Sequence, residues 1–138
     1  MKSKFYLFLL VASAAFASCT KSIPDVQQNI VGNWEIVAVD RQTSYGYEPY
    51  YTPYQNGTFY FSNNGNAQYE DNIGQMTGSW RMVQRSGYAN NSLELRLYDY
   101  YNDDAIEWEF YSIEMSGSRM VGYMNRYGYE YRYEFRRY

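Results

Sequence analysis

From Asn29 onward, apolar and polar residues alternate with a period of two, and Gly, Asn, Asp and Ser interrupt the alternation at short intervals. Successive side chains of a strand point to opposite faces, so this pattern predicts antiparallel strands with one buried face each. In the first segment Trp34, Ile36 and Ala38 share a face, with Glu35 opposed. Thr58 to Phe61 (TFYF) leads into Ser62-Asn63-Asn64-Gly65-Asn66, where Asn64-Gly65 signals a hairpin turn, and the chain returns from Ala67 to Asp71. Gly78 to Gln84 sets Trp80 and Met82 against Arg81, and Leu93, Leu95 and Leu97 alternate with Glu94 and Arg96. After a turn at Asn102-Asp103-Asp104, Ile106, Trp108 and Phe110 alternate with Glu107 and Glu109. Ser116-Gly117-Ser118 turns into a strand from Arg119 to Met124, and Asn125 to Gly128 turns into Tyr129 to Arg137. In that last strand Tyr129, Tyr131, Tyr133 and Phe135 line one face, and Glu130, Arg132, Glu134 and Arg136 the other.

Eight such strands joined by short turns, with no helical period among them, predict an all-β fold. Each strand has one face to bury, and an antiparallel meander buries all eight by closing into a barrel, which also leaves no open edge. A two-sheet sandwich is the other arrangement of the same strands. One connection is too long for a hairpin turn: Arg41 to Asn56 (RQTSYGYEPYYTPYQN) holds Tyr45, Tyr47, Tyr50, Tyr51 and Tyr54. Loops of this length in compact domains are usually functional or disordered, and the tyrosines argue for a packed lid. Tyrosine suits a recognition loop for a protein or glycan because it offers rigid amphipathic area; the plainer reading is a cover over one barrel end.

The first twenty residues follow other rules. Lys2 and Lys4 precede an apolar run from Phe5 to Val11, then small residues lead to Cys19. The run is too short for the ~20 residues that span a bilayer and has the build of an export signal. Phe16-Ala17-Ser18-Cys19 resembles a bacterial lipoprotein box, which implies cleavage before Cys19 and acylation of its thiol by palmitate-like chains. The expected organisation is a signal peptide over 1–18, an acylated Cys19 with a polar tether over 19–28, and a barrel domain over 29–138. The expected location is the cell envelope, lipid-anchored at the outer membrane.

Composition narrows the chemistry. The 138 residues suffice for one domain, and 21% are aromatic, 19 of them Tyr, far too many for a disordered chain. Histidine is absent and Cys19 stands alone, which removes Ser-His-Asp and Cys-His catalysis, His-ligated zinc and internal disulfides. A net charge of −3 offers no basic footprint for nucleic acid. Glycosidases need paired carboxyls with one buried, but Glu107 and Glu109 alternate with apolar residues and so face water. Asp103-Asp104 reads as part of a turn and lacks metal-site spacing. No catalytic residue, cofactor or metal is expected.

The remaining candidate is the barrel interior, lined by Trp34, Trp80, Trp108, Phe110, Tyr131, Tyr133 and Phe135. Eight strands enclose just enough space to be filled by side chains or to hold one small apolar or amphipathic ligand. These rings are large enough for either outcome.

Gly32-Asn33-Trp34 at the head of the first strand, followed by a long loop and hairpins, resembles the lipocalin-like barrels. The likeness is greatest to the small lipocalin-like lipoproteins of Bacteroidetes, through Ile30-Val31-Gly32-Asn33-Trp34, Thr58-Phe59-Tyr60-Phe61 with Asn64-Gly65, and Gly78-Ser79-Trp80. The resemblance implies that Trp34 closes one end of the barrel beneath an arginine of the last strand, for which Arg132 and Arg136 are the candidates. A weaker echo links Gly32-Asn33-Trp34 with Gly78-Ser79-Trp80. Alternation ending in Tyr138 also suits a membrane-spanning barrel with polar residues inside, although the strands read from alternation as shorter than the ~9–11 residues that a span requires.

Overall fold

A computed structural model describes residues 29–83 and 91–138, so the leader, Cys19 and the tether lie outside the described residues. The described residues form nine strands: β1 (Gly32–Thr43), β2 (Gly46–Pro49), β3 (Thr58–Phe61), β4 (Asn66–Glu70), β5 (Gln75–Val83), β6 (Asn91–Asp99), β7 (Asp104–Ser116), β8 (Arg119–Arg126) and β9 (Tyr129–Arg137). From β3 to β9 each strand pairs antiparallel with the next, and β1 pairs with both β3 and β9. Trp34 through Arg41 lie opposite Arg137 through Tyr131. The sheet therefore closes on itself as an eight-stranded antiparallel barrel, with β2 as a short flap on β1. The sandwich alternative is excluded by the β1–β9 pairing.

Two bulges bend the strands and change which face is buried. Between Ile36 and Ala38 the register against β9 slips by one residue. Val37 is pushed outward, so Val39 (not Ala38, as simple alternation predicts) takes the next inward position. A second slip, opposite Asn91–Leu93, lets β7 leave β6 and continue along β8.

The long connection is also more ordered than its composition suggests. Arg41 to Thr43 complete β1, and Gly46 to Pro49 double back beside them, with Thr43 opposite Gly46. The Thr43 hydroxyl fixes this turn by donating to Gly46 C=O at 3.0 Å and accepting from Tyr45 N–H at 3.2 Å. All four residues of β2 are exposed, so no alternation marked it as a strand. A 3-10 turn follows at Pro53–Asn56, and Tyr50 N–H donates to Val39 C=O at 2.8 Å, folding the segment back across the barrel mouth.

The outward positions carry Glu35, Arg81, Glu94, Arg96, Glu107, Glu109, Arg132 and Glu134, with Val37, Tyr98 and Tyr111 among them, while most of the large apolar side chains of the strands point inward. A spanning barrel needs an apolar outer band, and here charged residues recur along the outer face of β5, β6, β7 and β9, although these strands, at 9 to 13 residues, are longer than alternation suggests.

Candidate functional site

The interior is packed with rings. Trp34, Trp80, Trp108, Phe110, Tyr131, Tyr133 and Phe135 are all buried, as expected, and Phe59, Phe61 and Tyr69 join them. Trp108 lies at the centre, with ring centroids 5.6 Å from Tyr54, 5.6 Å from Phe59, 5.9 Å from Phe110 and 5.0 Å from Tyr133. Phe135 continues the series, 6.0 Å from Phe110 and 5.9 Å from Phe59. Centroid spacings of 4.5–7 Å are those of rings in direct contact. The side chains themselves occupy the barrel axis.

One end is sealed by Trp34. Its indole Nε1–H donates to Ile30 C=O at 2.7 Å, and the guanidinium over its face, at 4.6 Å, belongs to Arg137. Arg137 also donates to Asn29 C=O. The resemblance pointed to Arg132 or Arg136, and neither holds this place. Arg132 sits outside, 3.0 Å from Asp40 and 3.4 Å from Glu134, and Arg136 is exposed. The reason is parity: Arg137 shares the inward phase of Tyr133 and Phe135, whereas Arg132 and Arg136 fall on the outward phase. The Gly-Asn-Trp echo has a structural counterpart here, since Trp80 also donates from its indole to a backbone carbonyl of this end, Ser62 C=O at 2.9 Å.

The opposite end is aromatic. In a meander every second connection lies at the same end, so the 44–57, 71–74, 100–103 and 127–128 connections come together. Tyr45, Tyr51, Tyr100, Tyr101 and Tyr127 stand there between 69% and 100% exposed. Sequence reading found only the tyrosines of the 41–56 segment. Tyr100, Tyr101, Tyr127 and Tyr129 join them through chain topology, a signal already available once a meander was assumed. Among the described residues the sealed end carries Ser62, Asn63, Asn64, Gly65, Gly117, Ser118 and Tyr138.

The five predicted loop tyrosines divide by role. Tyr45 projects from the hairpin tip. Tyr50 packs on Tyr131 at 5.1 Å and Tyr54 on Tyr69 at 5.5 Å, and with Tyr51 they border a mouth cleft of about 230 Å³ that reaches Trp108 and Tyr133. Tyr47 turns instead to the outer wall, where its hydroxyl and that of Tyr111 both donate to Glu130. That bond pins β2 to β9.

The carboxylates act as structural acceptors. Asp99 accepts from Tyr101 N–H, Asn102 N–H and the Asn102 amide, and these bonds hold its carboxyl below the usual range. Burial alone would raise Asp71, but the N–H groups of Ile73 and Gly74 and the Tyr69 hydroxyl outweigh it. Glu107 accepts from Tyr98 at 2.8 Å on the exposed outer face.

These bonds set an expected pH profile. Glu134 is held below its ordinary 4.5, first by the hydrogen bond from Arg119. Its contribution is therefore complete above that value and is lost as pH falls through the lowered one. Tyr47 is pushed from 10.0 up to about 12, first by its bond to Glu130, and Tyr133 likewise to about 12 by burial. The fold favours their protonated forms, so this contribution is complete below pH 10 and disappears between 10 and about 12. With no histidine to titrate between, the urea midpoint followed by Trp fluorescence should be flat from about pH 6 to 9 and fall on both sides. A steady drift across that plateau would contradict the assignment.

Compared with protein-family models, curated proteins and solved structures, the chain matches none.

Proposed function

We propose that this chain is a lipid-anchored protein of the bacterial cell envelope, with a lipocalin-like barrel that acts by displaying its aromatic end to a glycan. It neither encloses a ligand nor catalyses a reaction. The observation that carries this reading is the pairing of a ring-filled axis with tyrosines gathered at the end opposite residue 29. A carrier needs an internal cavity of ~300–1,000 Å³, and here Trp108, Phe59, Phe110 and Phe135 stand where it would be. The small-ligand reading of the interior thus gives way to recognition at the mouth.

The placement of Asn29 orients the domain. It lies beside Arg137 at the sealed end, so a tether ending in acylated Cys19 leaves from there and the tyrosines point away from the membrane that holds the anchor. Several acyl chains, at about 0.8 kcal/mol per buried CH₂, make such an anchor stable. Glycan suits the exposed end because tyrosine rings lie beside Asp71, Asn72, Asn102, Asp103 and Asp104. The rings pack on the apolar face of a pyranose, and the carboxylates and amides accept from or donate to its hydroxyls.

The test has two parts. Radiolabelled palmitate should enter the wild-type chain and not Cys19→Ser. The purified full chain, screened against immobilised polysaccharides, should retain at least one, and Tyr51→Ala with Tyr127→Ala should abolish that retention while thermal unfolding stays unchanged. Native mass spectrometry that finds a small molecule retained in protein from its own host would restore the carrier. Retention of a protein partner with no polysaccharide bound would replace glycan as the target.

A further inference from the structure

The mouth cleft has a chemistry of its own. Arg126 is the one charged residue of its lining, beside Tyr51, Tyr54, Trp108, Tyr127 and Tyr133. The guanidinium lies over the Tyr127 ring, 5.0 Å from its centroid, and among the described residues no carboxylate forms an ion pair with it. Arg81 is matched to Glu94, Arg119 to Glu134 and Arg132 to Asp40, while Arg41, the other cation of this end, lies over the Tyr50 and Tyr129 rings at 5.6 and 4.9 Å and outside the cleft lining. An unmatched cation stacked on a ring, at the lip of a ring-lined cleft, is a site for an anion carried on a ring.

The turn that holds these groups is strained. Arg126 and Tyr129 lie opposite one another, so Tyr127 and Gly128 are its two central residues. Their φ angles are +53° and +81°. Gly and Asn adopt such angles readily, and a bulky aromatic side chain does so rarely. Strain of this kind persists where the side chain is needed in that place. Here it puts the Tyr127 ring against the cleft and Arg126 on top of it. The far side of Tyr54 has the opposite sign, a groove of about 180 Å³ lined by Asp71, Asp99 and Asp104. An anion is repelled there and drawn to Arg126, which fixes the direction in which a ligand lies.

We infer that the mouth cleft is a binding site for an acidic pyranose, a uronate residue of a glycan chain, with its ring on Tyr127 and Tyr51 and its carboxylate on Arg126. The cleft, at about 230 Å³, is smaller than the pockets that take drug-sized ligands and suits a single ring. This inference rests on the reading of the aromatic end as a glycan surface and adds its charge and its contact residues.

Calorimetric titration of the full chain in detergent micelles tests it, with an oligogalacturonate and a neutral galacto-oligosaccharide of equal length as probes. The acidic probe should bind roughly tenfold tighter or better, the scale of one charge-assisted hydrogen bond. In Arg126→Gln that preference should vanish, the acidic probe losing roughly tenfold more affinity than the neutral one. Tyr127→Asn should lose both probes and also raise the thermal midpoint, because Asn relieves the turn; a structural role alone would predict no loss of binding. Equal affinity for the two probes, or a preference that survives Arg126→Gln, overturns the inference and leaves the glycan surface standing. Binding of neither probe, nor of any other glycan, overturns both.

Discussion

Replacing Trp108 with alanine is expected to cost about 3–5 kcal/mol and to turn a filled barrel into a hollow one. The indole is 4% exposed and touches Tyr54, Phe59, Phe110 and Tyr133, which come from four separate elements. Removing it takes away both its own burial and the contacts that neighbouring rings make with it. The void is lined by rigid rings fixed on paired strands, so collapse recovers little. A domain of this size has only about 5–15 kcal/mol in total, and the variant should be folded but marginal. Apolar cavities of this sort stay dry and accept small aromatic molecules. Saturating indole should therefore restore much of the lost urea midpoint in Trp108→Ala and leave the wild type unmoved. Stabilisation of the wild type by indole would mean that the barrel already holds a vacant cavity. A loss below about 1 kcal/mol would place Trp108 outside the core.

Gly78→Ala should be as damaging although it adds a single carbon. A Cβ built at Gly78 falls 1.9 Å from the carbonyl oxygen of Arg96 and 2.9 Å from its carbon. Both are backbone atoms of β6, fixed by the ladder in which Gly78 faces Leu97. Relief requires β5 and β6 to separate, which breaks their pairing; a cost of about 3 kcal/mol or more is expected, at the upper end for overpacking. Gly122 is the control. Its added carbon meets the Phe110 ring edge at 2.6 Å, a side chain and not the backbone of a paired strand, so Gly122→Ala should cost less while leaving the strand pairing in place. Chemical denaturation of the two variants gives the comparison. Near-equal losses would show that the β5–β6 approach is looser than described.

The two positions mark what the sequence makes legible. Trp108 is visible from alternation alone, because Ile106, Trp108 and Phe110 share a parity against Glu107 and Glu109, and burial follows parity wherever a strand is regular. Gly78 reads from sequence as the start of a strand. Its real place is inside β5, where two backbones nearly touch, and no one-dimensional pattern records a distance between strands. Val37 shows the same limit: once a bulge inserts a residue, parity inverts and Val39 replaces Ala38 in the core. β2 escaped notice because neither of its faces is buried. The sealing arginine is legible from parity, which favours Arg137, and not from the resemblance, which points to its neighbours Arg132 and Arg136. The mouth cleft was half legible: its tyrosines were singled out, but Arg126 reaches them only through the return of β8.

Closure through β1 and β9 has a consequence for how the chain is made. Trp34 finds its partner Arg137 only after every intervening residue has been synthesised. Contacts so distant along the chain form slowly, on the scale of milliseconds to seconds for all-β domains. The growing polypeptide thus cannot close its barrel until the last strand has been made. A message cut short before the last strand yields a chain with two unsatisfied edges, fit for proteolysis and not for partial activity.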